Sequence, residues 1–235
     1  MSAGVDVRVD ALESALQSDL GDHAQWFRPR RYRDSLALSI IDAIFSTGAR
    51  YATVENILDR YIAYREAQDG DATGDGAPEL LATFAELGSS EAWAQDIGNR
   101  RPTSTTPGAP LKAEAVKEAA TRLHAAGIAT SEDLRVAADC DALHVVKAVW
   151  REVPGQRSGF TWSYLLLLAG IPAVQVDGIV ATYVARALDV SGDDIDDDLV
   201  SELIDQVARR NEWLDTDIPT AIWRAEQRAR SSGGR

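Results

Sequence analysis

The stretch VPGQRSGFTWSYLLLLAGIPAVQVD, Val153 to Asp177, reads as a turn, an apolar helix, a Gly/Pro-bearing connection and a lone carboxylate behind a short apolar run. Pro154-Gly155 ends the helix before it, because proline cannot donate into a helix ladder and glycine accepts the left-handed backbone of a tight turn. Gly155 and Gly159 bracket a hairpin short enough to turn several backbone N–H groups outward. Amides of this kind at a helix N-terminus make an anion site suited to phosphate. The helix from Ser158 to Ala169 then runs into Gly170-Ile171-Pro172.

Asp177 sits among Val174, Val176, Ile179, Val180 and Val184. A carboxylate in such an apolar frame is expected to be partly buried and to have a perturbed pKa or a specific task. The plainer use is as N-cap of a helix from Gly178 to Leu188, worth about 1 kcal/mol.

Around this segment the chain has the composition of an ordinary globular protein: 235 residues, 45% hydrophobic and 26% charged. The run Leu165 to Ala169 is far short of the ~20 apolar residues that a membrane span needs. The N-terminus has no basic start followed by an apolar stretch, so no secretory signal is expected. Cys140 stands alone, which excludes an intrachain disulfide and a multi-cysteine metal site. A cytoplasmic protein fits these features. The formal charge of -13 argues on average against nucleic acid. Charge is segregated, however. Six aspartates crowd Asp189 to Asp198, whereas Arg28, Arg30, Arg31 and Arg33 cluster in "FRPRRYRD", and Arg100, Arg101 and Lys112 lie in a stretch without acids.

Helical periodicity dominates. Leu36, Ile40, Ile41 and Ile44 share a face, and Val54, Ile57, Leu58, Tyr61 and Ile62 repeat the pattern after Ser46-Thr47-Gly48. Further helices are expected at Ala113 to Ala126, after Thr130 or Ser131, at Asp141 to Arg151, Leu199 to Ala208 and Thr220 to Arg230. Alternation of period two is confined to Val5 to Val9 and Ala173 to Val176, too short to carry a sheet. The class is all-α. The stretch "AQDGDATGDGAP", Ala67 to Pro78, opens like a calcium loop but has Leu80 where a bidentate glutamate is required, and reads as a solvated connection.

The segment from Val153 to Asp177 resembles the helix-hairpin-helix superfamily of base-excision DNA glycosylases, the group of endonuclease III and the adenine glycosylase MutY. Pro154, Gly155, Gly170, Pro172 and Asp177 fall on the family's Leu-Pro-Gly-x-Gly, helix, Gly-x-Pro, aspartate pattern. The resemblance extends to Lys112-Ala113-Glu114, to "ALHVVKAVWREVPG", to "IIDAIFSTGARYATVENI" and to "TAIWRAEQ", and covers about residues 34 to 230. It implies two helical lobes around a central cleft: a middle lobe of 35–171 carrying the hairpin, and a discontinuous lobe of 1–34 with 172–235.

The resemblance also implies a chemistry. A damaged base is flipped out of duplex DNA because its glycosidic bond cannot be reached inside the stack. A carboxylate then stabilises the positive charge that develops on the sugar and activates water. Asp177 takes that role by resemblance, and Gly155, Gln156, Arg157, Ser158 and Gly159 take the backbone phosphate. Arg50 and Tyr51 are candidates to fill the gap left in the duplex, Arg30 and Arg31 to face DNA, and Trp162 and Ser163 to line the base pocket. No catalytic metal or organic cofactor is implied, at most a monovalent cation on the hairpin. The chain departs from the family in three places. Gly159 replaces the lysine that bifunctional members use as a nucleophile, so the product should be an abasic site. Arg157 replaces the second hairpin glycine, and the iron-sulfur loop is absent. A second reading, a DNA- or partner-binding module without catalysis, draws on Arg157, Gly159 and the net acidity.

Overall fold

A computed structural model describes residues 2–26, 28–159, 161–171, 178–192, 195–214 and 216–232. Among them the chain forms α1 (Ser2–Leu20), α2 (Leu36–Phe45), α3 (Tyr51–Glu66), α4 (Ala77–Leu87), α5 (Ser90–Asp96), α6 (Lys112–Ala125), α7 (Ser131–Asp139), α8 (Leu143–Arg151), α9 (Trp162–Leu168), α10 (Gly178–Ala187), α11 (Asp197–Asn211) and α12 (Asp217–Ser232). The described residues contain no strand, only an isolated bridge between Pro102 and Leu111. The class is all-α, and no described helix is long and apolar enough to cross a membrane.

The chain divides into two compact units, Arg30–Pro172 and a discontinuous one of Met1–Pro29 with Ala173–Arg235. The first is built around α2, every residue of which is buried. A helix that is apolar all round can only be a central one. It packs against α3, α4, α6 and α9. Its start is fixed by Ser35, whose Oγ accepts from Leu38 N–H at 3.2 Å and donates to Asp75 O at 3.2 Å. Beside it Trp93 is fully buried, stacks on Phe84 at 4.7 Å and donates its indole N–H to Thr83 Oγ1 at 3.0 Å.

Three helices differ from the periodicity reading. Residues 5–9 belong to α1 rather than to a short alternation, because Val9, Leu12 and Leu16 recur on one face and are buried against the second unit's core of Val184, Leu203, Ile204 and Val207. α4 and α5 were hidden by punctuation: Gly76, Pro78, Gly88 and Ser89 look like loop residues. Here they are termini instead. Gly76 N–H donates to Glu79 Oε2 at 2.9 Å, Pro78 sits in the first turn of α4, Gly88 closes it at φ +83°, and Ser89 caps α5.

The Gly/Asp loop before α4 is also not simply solvated. Asp75 is buried, 2.6 Å from Arg65 Nε, and accepts the Tyr61 hydroxyl at 2.7 Å. Its neighbour Asp71 accepts from Thr73 N–H and hydroxyl. The loop is thereby stapled to α3.

Candidate functional site

α8 and α9 are joined by residues 152–161, in which Gly155 and Gly159 take φ of +80° and +69°. L-residues reach this region only with strain, which is why glycine stands at both positions. The turn is closed by Gln156 N–H on Val153 O, Gly159 N–H on Gln156 O and Trp162 N–H on Gly159 O. Inside it runs a buried chain in which Trp150 Nε1 donates to Thr161 Oγ1 at 3.0 Å and Thr161 Oγ1 donates to Gln156 Oε1. The N–H groups of Gly155 and Arg157 have no acceptor among the described residues, and both residues are exposed. Each such group is ready to donate to an anion from solvent.

Residues 103–110 lie alongside, leaving an open groove of about 790 Å³ lined by Thr103, Ser104 and Pro107 on one side and Gly155, Arg157 and Ser158 on the other. The contact is close. A Cβ added at Gly155 would lie 3.0 Å from Thr103 Cβ.

A second cluster in the same unit was not visible in the sequence reading. Asp42 is completely buried on α2, and its carboxylate accepts four hydroxyls: Ser46 at 2.6 Å and Tyr164 at 3.1 Å on Oδ1, Tyr32 at 3.1 Å and Tyr51 at 3.2 Å on Oδ2. Burial drives its pKa up to about 6, and the four hydroxyl donors pull against that rise. The signal was a lone carboxylate within "LSIIDAIFS". Because that acid lies on a helix apolar all round, it had to be buried.

Next to it, Lys112 is buried and donates Nζ to Phe45 O and Thr47 O at the end of α2. Burial, then the nearby Arg101 charge, lower its pKa to about 7. Arg101 Nη1 in turn donates to Gly48 O at 3.4 Å. Asp42, Lys112 and Arg101 thus brace the loop of residues 46–50 from three sides.

The sequence candidates fall into distinct environments. Arg157 and Ser158 are exposed on the α8–α9 connection, and Arg31 and Arg50 are exposed as well. Gln156 is not available through its side chain, which is buried in the Trp150–Thr161 chain. Arg30 faces acids, with Asp59 at 3.3 Å and Glu55 at 4.0 Å. Tyr51 is tied down, because its hydroxyl donates to Asp42 and accepts Arg30 N–H at 3.3 Å. Trp162 and Ser163 are both buried in α9, with the Trp162 ring 6.5 Å from that of Trp150, and neither lines the groove beside Gly155. Asp177 and the rest of 172–177 lie outside the described residues.

In the discontinuous unit, His23 has its Nε2 2.8 Å from Asp217 and its ring stacked on Trp213 at 4.5 Å. Arg28 also reaches Asp217, at 3.2 Å.

A family model spanning residues 10–227 matches this chain. The chain belongs to the DUF8548 family, a domain of unknown function. No curated protein and no solved structure matches it.

Proposed function

We propose that this protein is a monofunctional DNA glycosylase, which grips duplex DNA through a helix-hairpin-helix element formed by α8 and α9 and hydrolyses the N-glycosidic bond of a damaged or modified base. The observation that carries the reading is the pair of N–H groups at Gly155 and Arg157, without an acceptor among the described residues, in a turn with glycines of positive φ at 155 and 159. Preset amides of this kind meet a phosphate oxygen without further ordering of the backbone. The exposed Arg157 side chain adds a charge-assisted contact to the same anion. By the resemblance of its sequence pattern, the flipped base is received in a central cleft.

Asp177 is the proposed catalytic carboxylate, on the strength of its place in the sequence pattern. Its charge stabilises the sugar cation as the C1'–N bond breaks and orients the attacking water. Position 159 offers no amine, so the reaction ends at an abasic site in an intact strand. No step requires a metal or organic cofactor.

The test is a panel of duplexes carrying different damaged bases, treated with alkali to reveal abasic sites. Wild type should release a base from at least one and leave strands that break only in alkali. Asp177→Asn should retain binding and lose release by orders of magnitude. Equal release by wild type and Asp177→Asn on a confirmed substrate removes Asp177 from the mechanism. The burial of Trp162 and Ser163 favours a second reading, a DNA-binding protein without base excision. Tight duplex binding with no release across the panel selects it.

A further inference from the structure

We propose that the exposed face of α8 carries a second backbone-phosphate contact, made by Lys147 and Arg151, which extends the DNA footprint from the α8–α9 connection along the helix; this rests on the DNA-binding reading above. Residues four apart on a helix share a face, so the two cations project together. Both are exposed. Their stems cross the turn at the position where residue 159 has no side chain: a Cβ placed on Gly159 would meet Lys147 Cε at 3.6 Å and Arg151 Cδ at 3.7 Å. Glycine at 159 therefore does more than allow a positive φ. It leaves room for two long cationic side chains to lie over the connection with their charged ends in solvent.

Arg151 is held in place, because its Nε donates to Arg157 O at 2.9 Å. That bond fixes the guanidinium on the carbonyl of the residue whose N–H is without an acceptor among the described residues.

Neither cation has a carboxylate partner among the described residues. Other cations of the chain are neutralised, as Arg122 is by Glu118 and Glu152, Arg135 by Glu132, and Arg210 by Asp10 and Glu13. Glu152, the acid beside the connection, is itself held by Arg122 at 2.5 Å. Two cations without a carboxylate partner among the described residues thus lie together at the end of α8, within a chain of -13 net charge. A basic residue in the last turn also suits the helix dipole, and that would account for Arg151. It does not account for Lys147, one turn earlier and directed over the same glycine.

The experiment measures binding of a short fluorescein-labelled, undamaged duplex across a series of KCl concentrations, using wild type, the double variant Lys147→Gln/Arg151→Gln, Arg157→Gln, and Arg209→Gln as a remote control. Thermal melts confirm that each variant is folded. Each phosphate contact contributes about 0.9 to the slope of log K against log salt, so the double variant should lower that slope by about 2 and weaken binding at low salt by about tenfold or more. Arg209→Gln should match wild type. If Arg157→Gln lowers the slope and the double variant leaves it unchanged, the α8 contact is overturned while the DNA-binding reading stands. If wild type fails to bind duplex even at low salt, both are overturned.

Discussion

The Tyr164 hydroxyl donates to Asp42 Oδ1 at 3.1 Å, joining α9 to α2 across 122 positions of sequence. Tyr32 and Tyr51 reach the other carboxylate oxygen, so the segment before α2, the first turn of α3 and the helix after the α8–α9 connection all meet at one buried acid. Among the described residues no cation donates a hydrogen bond to it. The charge is balanced by oriented hydroxyls alone, which explains why burial outweighs them and the pKa rises to about 6.

This shift sets a pH dependence. Unfolded, Asp42 titrates near 3.8, and folded it titrates near 6, so between these values the native state holds the proton more tightly. Its contribution to stability therefore grows as pH falls from 7 through 6 towards 4, and ionisation at neutral pH costs roughly 2–3 kcal/mol. Asp42→Asn keeps the shape and removes the titration. In urea unfolding at pH 4 and pH 7, the stability of the Asn variant relative to wild type should rise by about that amount at the higher pH. A difference that is the same at both pH values would show that Asp42 does not titrate in this window.

Lys112 gives the opposite slope. Its folded pKa of about 7 lies below the usual 10.5, so above pH 7 the unfolded chain binds the proton that the native state has released. Stability from this group rises between pH 7 and pH 10. Lys112→Met should remove that rise, on the order of 2 kcal/mol by pH 9, and should leave Phe45 O and Thr47 O without their donor. Amide exchange should then quicken in residues 46–50. Unchanged exchange there would mean that Arg101 and Asp42 hold the loop without it.

Gly155→Ala tests the turn itself. A φ of +80° costs an L-residue about 1–2 kcal/mol. The new methyl would also press on Thr103 Cβ at 3.0 Å. The variant should lose at least that stability and bind duplex DNA more weakly. Binding at wild-type strength, with the stability loss observed, would separate the turn from the DNA contact.

Arg157→Ala bears on the contact directly. Its side chain is exposed and does not contribute to the turn's hydrogen bonds, so stability should change by less than about 0.5 kcal/mol. Duplex affinity should fall and its salt slope flatten by about 1. If affinity and slope stay the same, the α8–α9 connection is not a phosphate site.

The sequence by itself determined the helical class, because apolar spacing such as Leu36, Ile40 and Ile44 is local and is read directly as a face. It also placed the turn between α8 and α9, since Pro154-Gly155 and Gly159 are chemically suited to little else. It could not distinguish helix termini from loops around α4 and α5, where Gly76, Pro78 and Gly88 serve as caps only because Leu80, Phe84 and Trp93 find a core to enter. Tertiary structure alone decided that Gln156 and Trp162 point inward, that Tyr51 is tethered, and that Asp42 collects hydroxyls from residues 32, 51 and 164 besides that of Ser46 one turn along its own helix. The periodicity of one helix shows which side is buried. Which distant side chain lies opposite a buried acid is set by how the helices pack, and no local spacing encodes it.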